Sequence, residues 1–170
     1  MAAISGDELR QLQAPLKQGY RDQPESALIT LEADGTLDDG ISCSVNTGRA
    51  LVKAGLHPGT GGDGSLACSG DMLLQALAAC AGVTMRSVAT SMGIEVSGTV
   101  HAEGDLDWRG TLAVDKEAPV GFKAIRMRFE LQSQASDEEL ETLQRLTERY
   151  CVVLQTLANS PELSVSRGPS

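Results

Sequence analysis

The chain has 170 residues, 41% of them hydrophobic, and a formal charge of −9 from 14 Lys and Arg set against 23 Asp and Glu. That length and apolar content suit one domain with a sizeable core rather than two. The charge excludes partners gathered in through phosphates, whether nucleic acid or an anionic membrane, because both would be repelled.

The start, Met1-Ala-Ala-Ile-Ser-Gly-Asp-Glu8, has no cationic residue leading into an apolar run, and no apolar stretch reads as long enough to span a membrane. A cytoplasmic location is the expectation. There Cys43, Cys68, Cys80 and Cys151 stay reduced at rest, which favours a transient or catalytic disulfide over a permanent staple. No Cys-x-x-Cys pair exists and His57 and His101 stand alone, so neither a metal nor another cofactor is expected.

From about Ser5 to Gly19, a cap at Ser5 or Asp7 and Leu9, Leu12 and Leu16 at helical spacing predict a short leading helix, kinked by Pro15. Ala27 to Leu31 is apolar or β-branched, Asp34-Gly35 offers a turn, and Ile41 to Val45 is again extended, which together read as a β-hairpin. Thr47 to Gly70 is rich in Gly, Pro, Ser and Asp and reads as one long surface loop, a lid or pocket wall. A phosphate-binding loop is disfavoured, because no Gly-Lys-Ser/Thr ending follows the glycines.

From Asp71 to Met92, Leu73, Ala76, Leu77, Cys80, Val83, Thr84, Ser87 and Val88 recur at three- and four-residue steps, and Gly93 stops the run. A central, deeply packed helix is expected. Three extended segments should follow: Val96 to Leu106, Thr111 to Val114, and Ala124 to Leu131, the last with Arg126, Arg128 and Glu130 on a wet face. Ser136 and Glu139 form a capping box for a helix that buries Leu140, Leu143 and Leu146 and leads into Tyr150-Cys151. Leu163 to Val165 has room for a short strand, and residues 167–170 should form a disordered tail. The order of elements predicts an α+β fold.

The chemistry centres on two thiols. Cys80 lies in an apolar helix stripe, where an unassisted thiol is inert and serves as a small hydrophobe; use as a nucleophile requires a nearby cation. Asp71, nine residues upstream, could orient that cation or simply complement the amino end of the helix. Cys151 stands where an Arg-containing helix gives way to Val152-Val153-Leu154. Cys43 and Cys68 read as filler, His57 before Pro58 as loop geometry rather than a base, and Trp108 as a ring packed over the sheet at a turn.

Gly61-Gly-Asp-Gly64, Cys68-Ser-Gly-Asp71-Met-Leu-Leu, Ala76-Leu-Ala-Ala-Cys80-Ala-Gly-Val-Thr84-Met-Arg, Val88-Ala, Gly93-Ile and Glu148-Arg-Tyr-Cys151-Val-Val with Thr156-Leu157 resemble the OsmC/Ohr family of thiol-dependent hydroperoxide reductases. The resemblance covers residues 27–166, with residues 1–26 as a leading helical extension. It implies an intertwined α+β homodimer with two long central helices back to back. It further implies that Cys80 attacks the peroxide O–O bond, that Cys151 resolves the sulfenic acid as a disulfide, and that an external dithiol, for instance a lipoyl protein, restores both. An apolar pocket would favour organic over inorganic hydroperoxides. The family's activating arginine would be Arg49, for its place after the second strand, or Arg21. Two positions depart from the pattern: Asp71 stands where the peroxidase branch has glutamate, and Cys151 is followed by Val152 rather than proline. The rival readings are a non-catalytic ligand-binding or redox-sensing member, and a different thiol enzyme that pairs Cys80 with His57.

Overall fold

The computed structural model describes residues 5–23, 34–37, 42–46, 51–113 and 115–168. Ser5 opens the first helix, α1 (Gly6–Asp22), by a reciprocal cap: its hydroxyl accepts from the Glu8 N–H, while the Glu8 carboxylate accepts from the Ser5 N–H at 2.9 Å. The helix continues through Pro15 to Asp22, beyond the expected end at Gly19.

Strands β1 (Asp34–Leu37), β2 (Ser42–Asn46), β3 (Leu51–Gly55) and β4 (Ala67–Cys68) form a sheet in that order. This corrects two expectations. Asp34-Gly35 is strand rather than turn, with Gly35 opposite Val45. The supposed loop from Thr47 to Gly70 contains β3, antiparallel to β2, and β4, parallel to β3. Ladder pairing overrides local turn composition in both cases: Leu51-Val52 is a short β-competent run whose glycine-rich flanks mask it. The expected strand at Ala27 to Leu31 lies outside the described residues.

Helix α2 (Ser69–Met92) is the axis of the fold, packed against β5 (Val96–Asp105), α4 (Asp137–Tyr150) and α5 (Val152–Ala158). Gly93 ends it at φ 71°, a left-handed conformation that glycine adopts without a Cβ penalty. Its buried stripe is Leu77, Ala81, Met85 and Ala89, rotated from the expected one. Leu73, Ala76 and Val83 are exposed, Val83 at 72%. By length and composition α2 could cross a membrane, contrary to the sequence expectation; here it carries β5, α4 and α5 on one side.

β5 pairs antiparallel with β6 (Ala124–Ser133) along ten residues, from Val96 opposite Ser133 to Asp105 opposite Ala124. Alternation gives the pair two unlike faces. Val100, Ala102, Ile125, Met127 and Phe129 pack towards the Leu77–Ala81 part of α2, while Arg126 reaches Glu103 and Asp105 on the outer face. A second core cluster joins Met85, Ala89, Val96 and Leu143. The expected strand at Thr111 is instead a short helix, α3 (Trp108–Thr111), capped by the Asp107 carboxylate, which accepts from the Arg109 N–H. The Ser136–Glu139 capping box forms as expected. Residues Leu163 and Val165 are exposed and extend no strand.

Candidate functional site

Cys151 sits at a break between two helices. It closes α4 by donating its N–H to the Thr147 carbonyl at 2.9 Å, and opens α5 by accepting from the Gln155 N–H at 2.9 Å. Its ψ of 105° turns the chain out of the helical region, so the amides that follow have no partner earlier in α5. The side chain is fully buried and packs with Leu77 and Ala81 of α2; Cys80, half-buried, joins the same cluster with Val153 and Leu154.

The two sulfurs are thereby brought together. Burial opposes ionisation of Cys80, but the Val153 N–H, the Cys151 thiol, the Val152 N–H and the Thr84 hydroxyl all donate towards its sulfur, and their sum lowers its pKa below the usual thiol value. Cys151 moves the other way. Burial pushes its thiol up, and its hydrogen bond to Cys80 together with the repulsion of a Cys80 thiolate reinforces that effect against donation from the Leu154 N–H. Of the two thiols, Cys80 is therefore the more readily ionised. The surface flanking Cys80 on α2 is apolar or small, with Ala76, Ala79 and Val83 exposed.

The other expected site residues are not gathered here. Nine residues of helix separate Asp71 from Cys80, a rise of about 13 Å and a rotation of about half a turn beyond two full turns, so the two point to opposite faces of α2. Arg49 lies outside the described residues; Arg21 is in α1, with its side chain outside them. His57 serves the loop: its Nδ1 accepts from the Gly59 N–H at 2.9 Å, and its ring stacks on Trp108 with centroids 4.9 Å apart. Trp108 thus packs on that loop rather than over a sheet. Cys68, expected in a loop, ends β4 and precedes α2, and Cys43 lies in β2 opposite Ala54. Among the described residues no cluster of His, Cys, Asp and Glu could hold a metal.

Sequence reasoning missed the donors at Cys80. Thr84 stands four residues on, one helical turn away, which was available as a signal; the Val152 and Val153 amides required knowing that the chain restarts a helix at Cys151.

A family model described as OsmC-like protein matches residues 62–166, more than half of the chain. No curated protein sequence matches. Among solved structures, an OsmC-like protein from Mycoplasma pneumoniae is similar over 78% of this chain and 89% of its own, with a TM-score of 0.67 and 16% identity. An organic hydroperoxide resistance protein OsmC from Legionella pneumophila gives a TM-score of 0.58 at 18% identity, covering 78% of this chain and 92% of its own. An organic hydroperoxide resistance protein from Elizabethkingia anophelis gives 0.57 at 19%, covering 78% and 91%. These likenesses show the α+β fold.

Proposed function

Since the chain belongs to the OsmC-like family, we propose that it is a thiol-dependent peroxidase that reduces organic hydroperoxides through Cys80 and Cys151. The observation that carries this reading is the packing of Cys80 of α2 against Cys151 where α5 restarts, an arrangement that makes Cys80 the more readily ionised of the two thiols. The Cys80 thiolate attacks the peroxide O–O bond and becomes a sulfenic acid, and the leaving alkoxide takes a proton to give the alcohol. The Cys151 sulfur then displaces hydroxide from the Cys80 sulfur, forming a disulfide and releasing water. An external dithiol reduces that disulfide and is itself oxidised, so the balance is hydroperoxide plus dithiol to alcohol, water and disulfide.

The half-buried sulfur is the one a substrate can reach first, and the fully buried one suits resolution. Small and apolar residues around Cys80 favour an alkyl or aryl peroxide over hydrogen peroxide, because the organic tail gains from burial. The exposed stripe on α2, with Leu73, Ala76, Ala79 and Val83, supports a homodimer in which a second α2 covers it. A pair that works by cycling between thiols and disulfide suits a reducing cytoplasm. No step of this scheme assigns a role to Asp71 or Arg49.

The test is consumption of cumene hydroperoxide and of hydrogen peroxide by the reduced protein with a dithiol. Turnover of the organic substrate should be lost in Cys80→Ser, while Cys151→Ser should still be oxidised by peroxide but form no intramolecular disulfide. Full turnover in Cys80→Ser, or none in the unaltered protein above the free dithiol, would overturn the proposal; the second result would leave the binding or sensing role.

A further inference from the structure

Several hydroxyls in the helices of this protein close on the backbone. Thr90, Thr147 and Thr156 each donate to the carbonyl four residues earlier at 2.8 Å, and Ser91 does so at 2.9 Å. Thr84 of α2 stands four residues after Cys80, where the same bond was open to it. Among the described residues no carbonyl takes its hydroxyl, which lies beside the Cys80 sulfur instead.

The donors at that sulfur differ in freedom. The Val152 and Val153 amides are fixed in the backbone where α5 starts, and the Cys151 thiol is fully buried. Thr84 is half-buried, as Cys80 is, and so shares the sulfur's partial access to solvent. Its hydroxyl hydrogen turns about the C–O bond, which an amide hydrogen cannot do. That freedom matters because charge moves during the attack. The electron pair of the sulfur forms the S–O bond, the O–O bond breaks, and its pair goes to the departing organic oxygen; the sulfur is oxidised and the peroxide reduced. A donor fixed on the thiolate holds charge where the reaction must remove it, whereas a donor that follows the charge favours the transition state.

We propose that Thr84 is a catalytic residue of the peroxide-cleaving step, its hydroxyl passing from the Cys80 sulfur to the departing oxygen as the charge moves there. The inference rests on the peroxidase reading and adds to it the group that stabilises the leaving alkoxide. Thr84 keeps its own proton, and the alkoxide takes one from water.

The test compares two electrophiles on one thiolate. Cumene hydroperoxide departs through oxygen, whereas iodoacetamide loses iodide and needs no such donor. In a single turnover of the reduced full chain without dithiol, cumyl alcohol measures O–O cleavage; alkylation is read at Cys80 by peptide mapping, and each rate is divided by the thiolate fraction from the pH profile of alkylation. Thr84→Val, of the same shape without the hydroxyl, should lower the peroxide rate per thiolate about tenfold, less than a donor in a sealed site because this one is half-open to water. Its iodoacetamide rate per thiolate should be unchanged or raised, since a thiolate that loses a donor is the stronger nucleophile. Thr84→Ser should match the unaltered protein with both reagents. Thr84→Ala, carrying the best helix former, should repeat the split where Thr84→Val fails to fold. An undiminished peroxide rate per thiolate in either apolar variant, or an equal slowing of both reagents, would overturn the role of Thr84 and leave the peroxidase reading in place. No cumyl alcohol from the unaltered protein would overturn the peroxidase reading itself, and this inference with it.

Discussion

At the scale of single residues, what distinguishes this thiol site is a proton donor on the backbone. A proline after Cys151 would have no N–H, whereas Val152 supplies one near Cys80 that favours its thiolate. Val152→Pro tests this cleanly, because proline is well tolerated at the first position of a helix, where Val152 stands. The Cys80 pKa should rise towards the ordinary thiol value. The pH profile of alkylation by iodoacetamide measures it, and an unchanged midpoint would remove Val152 from the donor set. The same profile in the unaltered protein should show order. Because Cys80 is lowered and Cys151 raised, alkylation with rising pH should label Cys80 first and Cys151 only at higher pH, as peptide mapping would read out.

At the scale of elements, the sheet on α2 depends on one close approach and one buried leucine. Gly98 in β5 has φ 139°, and a Cβ there would lie 1.9 Å from the Glu130 carbonyl oxygen of the paired strand. Gly98→Ala therefore has no strain-free conformation, and should cost at least about 2 kcal/mol in urea denaturation, at the upper end of common single substitutions. Leu143 of α4 is fully buried against Met85, Ala89 and Val96. Leu143→Ala should cost about 2–5 kcal/mol through lost burial and the cavity left behind. These elements were largely legible beforehand: alternation in β6, the Ser136 capping box and the Gly93 stop are local signals with local causes. The small strands β3 and β4 were not, because a run such as Leu51-Val52 becomes strand only when β2 offers it a ladder.

At the scale of the whole molecule, α2 is a helix apolar on more sides than one chain covers. Leu77, Ala81, Met85 and Ala89 face the sheet and α4, while Val83 and its small neighbours face outward. If a second chain packs there, Val83→Glu should shift the protein from dimer to monomer in sedimentation, since a buried unpaired carboxylate is strongly disfavoured. If the stripe faces water, the substitution should leave the sedimentation coefficient unchanged. The largely exposed place of Val83 within one chain makes a direct effect on monomer folding small.

The candidate site divides along the same line. By itself the sequence determined the helix that carries Cys80 and the family that the chain belongs to, because these rest on residue types at fixed spacing along one chain. Only the tertiary structure decided which groups meet at the sulfur: α5 restarts at Cys151 and turns its free amides towards Cys80, while the helical repeat carries Asp71 to the far face of α2, beside His57 and Trp108. The physical reason is that a thiol's ionisation is set by the few donors and charges within hydrogen-bonding reach, and those come from segments distant in sequence that packing alone brings together.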